Sequence, residues 1–226
     1  MSLNILFVAA TPMEADTLGK ITGLNESGKG LIAGQCTFEL LITGIGSVAT
    51  SWALTKWYSS NPKPDLAINA GIAGSYREDI ETGQVVVPVS DCFADMGIET
   101  ETGFKTLAEA GLEKPGKFPF SDSKIISDNR FVKYASTILN PVKAISVNTS
   151  TGSVASRDRL VNKFYPDIET MEGAAFFYIC SMERIPFLAI RSISNMVGPR
   201  DKGRWNIPLA LESLAFNLQE IILNLN

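Results

Sequence analysis

Short apolar runs alternate with amphipathic stretches along almost the whole chain. Residues 4–10 form a continuous apolar run of strand length, and Pro12, suited to a first helical turn, opens a helix over residues 13–24. Residues 38–43 read as a second strand, followed by Gly44-Ile45-Gly46 and a helix with Ala49, Trp52, Ala53 and Trp57 at helical spacing. Residues 66–70 and 85–89 read as further strands, the latter too apolar for an exposed edge. Residues 99–127 are rich in Gly, Pro, Lys and Ser, carry the weakest periodicity, and read as a loop-heavy insertion. Asp128 stands where it would cap a helix with Phe131, Tyr134, Ala135 and Ile138 on one face, and residues 143–147 read as a strand. A short strand at 168–171 feeds a helix over 173–182, which puts Ala174, Phe177, Tyr178 and Ser181 together. Residues 187–194 are the last strand. The closing helix repeats Leu211, Leu214, Leu218, Ile221, Ile222 and Leu225 at steps of three and four. That stripe and the Trp52/Trp57 face read as core or subunit interface.

This alternation predicts an α/β fold: one domain over residues 1–226, three layers α/β/α, with a central mixed, largely parallel twisted sheet. In such sheets ligands sit outside the carboxyl ends of strands. That rule selects Glu14, Gly44 and Gly46, Gly71 and Gly74, Glu172, Ser194 and Asn195, and predicts that they converge on one crevice.

Composition narrows the chemistry. The chain has 226 residues, 45% hydrophobic and 19% charged, with formal charge -4 and pI near 5.0, so its summed field does not favour polyanions and nucleic acid is excluded as an expected partner. It has no histidine, which removes Ser-His-Asp and Cys-His nucleophile chemistry and any His-ligated metal. Carboxylates, amides and backbone must carry the work. Cys36, Cys92 and Cys180 are far apart and form no CxxC, so neither a disulfide framework nor a metal cluster is expected. The first ten residues lack a basic n-region and are too short for a membrane span. A cytoplasmic, non-membrane protein is the expectation, and the N-x-[ST] triplets at Asn25 and Asn148 are read as coincidence.

Two glycine motifs invite other readings. Gly23 to Lys29 matches G-x4-G-K, but Gly30 stands where a P-loop needs a Ser or Thr hydroxyl, so a glycine-rich turn is read instead. Gly44-x-Gly46-x-x-Ala49 follows a strand, opens a helix and has Asp65 about twenty residues on, as a dinucleotide fingerprint does. It is short and not on the first strand, and its amides would serve a smaller anion or water equally well. Taken singly, Glu14 and Glu172 also suit acidic residues near a helix start, and Asn195 suits a turn after a strand.

Taken together, Ala10-Thr-Pro-Met-Glu14, Thr43-Gly-Ile-Gly46, Asn69-Ala-Gly-Ile-Ala-Gly74, Thr170-Met-Glu-Gly-Ala174 and Arg191-Ser-Ile-Ser-Asn195 resemble the purine nucleoside phosphorylase and nucleosidase superfamily, from first strand to final helix. The resemblance implies cleavage of an N-ribosidic bond. Glu172 would accept from the ribose hydroxyls, Met171 would pack under the sugar, and Glu14 would orient or deprotonate a water. Gly71, Ile72, Ala73, Gly74 and Ser194 would complete the substrate site. Phosphorylase relatives carry a phosphate-binding arginine in the early loop, and this chain has none there, which favours hydrolysis. Asn195 stands where adenine-cleaving members have aspartate, and its amide NH2 would donate to N7 and O6 of a 6-oxopurine, which implies hypoxanthine as the leaving base. Residues 192–201 followed by Trp205 strengthen that closer likeness. Trp205 would cover the 5′ side, where Arg200, Lys202 or Arg204 would meet a carboxylate on the substrate's 5′ extension. The base-side loop near residues 148–153 offers no aromatic, so no stacking residue is named. The resemblance further implies a small-molecule purine nucleoside as ligand, no metal or organic cofactor, and a homo-oligomer, a dimer or higher, with a partner chain near the 5′ pocket.

Overall fold

A computed structural model describes residues 3–21, 31–33, 35–199 and 205–225. The first half of the chain runs β1 (Leu3–Ala9), α1 (Pro12–Ile21), β2 (Leu31–Ala33), β3 (Cys36–Ile42), α2 (Ser47–Ser60), β4 (Leu66–Ser75) and β5 (Val85–Asp91). A hairpin of β6 (Gly97–Thr100) and β7 (Gly103–Thr106) follows, then β8 (Phe120–Ser121), β9 (Lys124–Ile126) and α3 (Arg130–Ala135). The remainder runs β10 (Asn140–Ser146), α4 (Val154–Phe164), β11 (Ile168–Thr170), α5 (Gly173–Glu183), β12 (Phe187–Met196) and α6 (Ile207–Leu223). No helix among the described residues is long and apolar enough to cross a membrane.

The expected α/β architecture with a central mixed sheet is present. Ten strands form one sheet, parallel in two blocks: β3-β1-β4-β12 run one way and β11-β10-β5 the other. The blocks join through antiparallel pairs of β4 with β11 and β5 with β12, so five strands close on themselves. One face packs α1, α3 and α6 through Leu18, Phe131, Leu214, Leu218 and Ile221; the other packs α2 and α5 through Leu54, Tyr58, Phe176, Phe177 and Cys180. Each such side chain contributes roughly 1.5–3 kcal/mol by leaving water. The three cysteines are free and buried.

The structure corrects several local expectations. The stretch read as loop carries four short strands; β6 and β7 are largely exposed Glu, Thr and Lys positions whose alternation has no apolar side to reveal it. The cap of α3 is Asn129, whose side chain accepts from the Phe131 and Val132 N–H groups, while Asp128 instead pairs with Lys133 at 3.0 Å. That helix is also only six residues long. α4, capped by Ser153, and the short β2 were not expected. Of the two readings of the Trp52 face, core or subunit interface, the first fails: Trp52 is 64% exposed and the core takes Ala53 and Leu54. The near-miss P-loop at residues 23–29 lies outside the described residues.

One topological detail sets the site. β4 is twice the length its apolar run announced, and β11 runs antiparallel to it with Glu169 opposite Gly74. The carboxyl end of β11 therefore points back toward the middle of β4, and brings Glu172 to the side of the sheet where β1 and β3 end.

Candidate active site

Glu14 is placed by local sequence. Thr11-Pro12-Met13-Glu14 is a capping box with proline at the first helical position. The Glu14 N–H donates to Thr11 Oγ1 at 3.3 Å, and Glu14 Oε2 accepts in return from the Thr11 N–H at 3.0 Å and hydroxyl at 2.9 Å. The other oxygen leaves the helix. Oε1 accepts from the Ile72 N–H at 3.1 Å and lies 2.5 Å from where a Cβ on Gly71 would stand, so residue 71 must be glycine for the carboxylate to reach β4.

Glu172 is placed by tertiary structure. It lies two residues past β11, at the N-cap position of α5, and its side chain, free of any capping bond to that helix, accepts from the Gly46 N–H at 2.8 Å. Gly46 itself caps α2 with φ +90, a conformation that favours glycine. Burial pushes the Glu172 carboxyl above its ordinary range; Glu14 adds to the rise, and the Gly46 N–H and Arg191 oppose it. Gly46 thus holds a carboxylate, and Asp65, the would-be ribose ligand of a dinucleotide site, bonds the Asn4 N–H at the opposite end of the strands. The fingerprint reading fails on both counts.

Behind these two carboxylates lies a charge cluster that sequence reasoning did not assign. Arg191 is fully buried in β12, donating to the Asn69 and Ile190 carbonyls and to Asn69 Oδ1. Its guanidinium interacts electrostatically with Glu172, Glu14 and Asp91, while burial pulls its pKa down. Asp91, the last residue of β5, is buried against the start of α5, its carboxylate held by the Ser146 hydroxyl at 3.1 and 3.2 Å. Ser146 in turn accepts from the Ala174 N–H at 2.8 Å. Burial raises Asp91 to about 7, with Ser146 and Arg191 opposing and Glu172 adding to the rise. Arginine inside the apolar run Phe-Leu-Ala-Ile-Arg191 was the available signal, since buried strands seldom carry one unpaired.

Asn195 belongs to β12 just past a register shift. Its Nδ2 donates to the Met196 carbonyl at 2.9 Å and its Oδ1 accepts from the Ser194 hydroxyl at 2.8 Å. A carbonyl can only accept, so this pair of neighbours fixes which end of the amide is NH2.

Glu14, Glu172 and Asn195 all border one cavity of about 400 Å3, a size suited to a small ligand. Ile72, Ala73, Gly74, Met171, Ser194 and Trp205 border it too, whereas Gly71 does not and instead leaves room for Glu14. Ser150 and Thr151 stand on the wall where no aromatic was expected, and Glu169, absent from the sequence expectations, stands beside them. Arg200, Lys202 and Arg204 lie outside the described residues. Among the described residues no cluster of Cys, Asp or Glu is arranged to hold a metal ion.

The family model described as the phosphorylase superfamily matches residues 5–224. The futalosine hydrolase of Streptomyces coelicolor is 28% identical over 225 residues, covering 94% of this chain and 92% of its own. A 5′-methylthioadenosine/S-adenosylhomocysteine nucleosidase of Shewanella piezotolerans is 31% identical over 193 residues, covering 81% and 78%. In fold, the chain is similar to a Helicobacter pylori MTAN mutant solved with 5′-methylthioadenosine in its active site, at TM-score 0.81 and 18% identity, over 98% of this chain and 99% of that one.

Proposed function

The chain belongs to the phosphorylase superfamily, and from that premise we propose that it is a nucleosidase, hydrolysing the N-ribosidic bond of a purine nucleoside. The observation that carries the reading is that Glu14, Glu172 and Asn195, reached from three separate parts of the chain, border a single cavity. Breaking the C1′–N9 bond sends its electron pair to the base and leaves an oxocarbenium-like sugar. Glu172 accepts from the ribose hydroxyls and places negative charge beside that sugar. Glu14, held by Thr11 and Ile72, takes the proton of the water whose oxygen bonds C1′. Met171 packs under the ribose, and Trp205 covers the 5′ side. The early loop, Thr11-Pro12-Met13, has no cation to bind phosphate, which supports water over phosphate as nucleophile.

For the substrate we propose futalosine, with hypoxanthine released and dehypoxanthine futalosine left. Asn195 supports this: the Met196 carbonyl holds its NH2 end as a donor, and its second N–H suits N7 or O6 of a 6-oxopurine. The second reading is a 5′-methylthioadenosine/S-adenosylhomocysteine nucleosidase, and the likenesses to known proteins weigh more heavily on that side than on the first. Incubation with futalosine, inosine and methylthioadenosine in phosphate-free buffer, with chromatography of the released base, separates them. Hypoxanthine from futalosine alone supports the first; adenine from methylthioadenosine with futalosine untouched replaces it by the second. Base release only on adding phosphate would overturn hydrolysis itself.

A further inference from the structure

Helix α5 starts with Glu172 in the N-cap position, yet the Glu172 side chain makes no capping bond to it. A helix start leaves its first N–H groups unpaired, and a buried one must find acceptors from outside the helix. Two hydroxyls from neighbouring strands supply them here. Thr170 Oγ1 accepts from the Gly173 N–H at 3.3 Å, and Ser146 Oγ accepts from the Ala174 N–H at 2.8 Å. The sheet sets these acceptors side by side: Ser146 pairs with Thr170 across β10 and β11, their hydroxyl oxygens 2.9 Å apart. The Ser146 N–H bonds the Cys92 carbonyl at 2.8 Å, which brings Asp91 into the same row.

Asp91, Ser146 and Thr170 are all buried. The Ser146 hydroxyl has one hydrogen, directed away from α5 toward Asp91 or Thr170 Oγ1, and that leaves a lone pair for the Ala174 N–H. Gly173 completes the fit: a Cβ there would overlap Asp91 Oδ2 and lie 2.8 Å from Thr170 Oγ1. A side chain that caps folds back over its own helix. Relieved of that task, Glu172 extends the other way, to the Gly46 N–H at 2.8 Å and the wall of the cavity.

We infer that Ser146 and Thr170 are positioning residues, which cap α5 in place of Glu172 and so keep its carboxylate turned to the ribose hydroxyls. The inference deepens the proposed function and rests on the role given there to Glu172. With either hydroxyl removed, a buried N–H is left unpaired beside the Glu172 carboxylate. Glu172 then turns back onto its own helix and away from the sugar. A merely structural cap would affect every nucleoside alike, so the test reads the dependence on a hydroxyl that Glu172 binds.

The value of kcat/KM is measured for whichever purine nucleoside the enzyme turns over and for its 2′-deoxy counterpart, in the unaltered protein, Ser146→Ala, Thr170→Val, Thr170→Ser and Glu172→Gln. Ser146→Ala and Thr170→Val should each shrink the preference for the ribonucleoside about tenfold or more, the worth of one hydrogen bond to a charged acceptor. Thr170→Ser retains the hydroxyl and should keep the parent's preference. An unchanged preference in the first two variants, or equal loss on both substrates, overturns the inference. Thr170 borders the cavity and Ser146 does not, so a fall confined to Thr170→Val reports contact with the ligand and overturns it as well. Glu172→Gln separates the two levels of the argument. If it leaves the preference intact, the ribose-binding role of Glu172 falls and the inference with it; if it abolishes the preference while both hydroxyl variants keep it, only the inference falls. Should Ser146→Ala not fold, Ser146→Cys makes the same comparison, since a thiol is a weak acceptor.

Discussion

The two ends of the cavity are built by different means. At the end that holds Glu14 and Glu172, each carboxylate is gripped by backbone N–H groups: Thr11 and Ile72 for one, Gly46 for the other. At the end that holds Asn195 and Glu169, side chains do much of the holding, through Ser194, Thr151 and Tyr76. Backbone donors come with the fold and cannot be altered without moving a strand or a helix start; side-chain donors change with one substitution. On the proposed function, that difference makes reaction and base choice separable in this architecture.

The largest effects belong to the backbone-held end. Glu14→Gln and Glu172→Gln keep shape and remove charge, and turnover of either should fall about 10²–10⁴-fold, the range for lost general acid–base or charge-stabilising groups. Circular dichroism should show both folded, and turnover within tenfold of the parent would refute the roles given them. Gly71→Ala is subtler. Its new Cβ meets Glu14 Oε1, the far end of a side chain that can swing aside, so the protein folds but the carboxylate is displaced. A displacement of about 1 Å costs on the order of 10²-fold in rate. The measurement is kcat beside the melting temperature: a large loss of Tm with kcat intact would place the role of Gly71 in packing.

At the side-chain-held end a single change should redirect rather than abolish. Asn195→Asp sets a carboxylate oxygen against the Met196 carbonyl, a pairing that is repulsive unless the acid holds its proton. Protonated, it has one hydrogen where the amide has two, which goes either to that carbonyl or to N7, while its oxygens can accept from a 6-amino group. The ratio of kcat/KM for 6-amino over 6-oxo nucleosides should rise about tenfold or more, as expected when one buried polar group changes sense. An unchanged ratio would mean that base choice lies elsewhere on the wall.

How much of this was legible in the sequence follows the same division. Glu14 could be read because its placement is local: a threonine, a proline and a glutamate within four residues after an apolar run. Gly71 and Gly74 were legible as residues past the carboxyl end of an apolar run, although β4 in fact runs through both, and the reason for Gly71 is a glutamate 57 positions earlier. Arg191 stands in a motif whose residues do not announce its role, since its partners are the Ile190 carbonyl and, on another strand, the carbonyl and side-chain amide of Asn69. Glu169 and Asp91 were invisible, because each acquires meaning only from strands paired across long separations. The four strands between residues 97 and 126 were missed for a related reason: β6 and β7 are largely exposed, and β8 and β9, at two and three residues, are too short to imprint a period even though Ile125 is buried. The cap of α3 shifted by one residue, from Asp128 to Asn129, where two adjacent acceptors compete and backbone geometry decides.

The smallest effect on turnover, and the sharpest on the comparison, comes from Asp91. The backbone-held end carries three carboxylates around one guanidinium, Glu14 and Asp91 buried and Glu172 half-buried, and Asp91, behind the other two, does not border the cavity. Its carboxyl is raised to about 7 by burial, against about 3.9 for an exposed aspartate, with Arg191, Glu172, Ser146 and Cys92 facing it. The folded state therefore binds this proton more tightly than the unfolded one. The stability it contributes is complete below about pH 4 and is lost as pH rises through about 7. Asp91→Asn cannot titrate, so relative to the parent it should gain roughly 2–3 kcal/mol between pH 5 and pH 8. Denaturant midpoints at the two pH values measure this, and turnover should stay within a few fold if Ser146 keeps its grip on the first turn of α5. Parallel stability curves would mean that Arg191 neutralises Asp91 throughout, and that the charge cluster is a balanced ion pair with its cost already met.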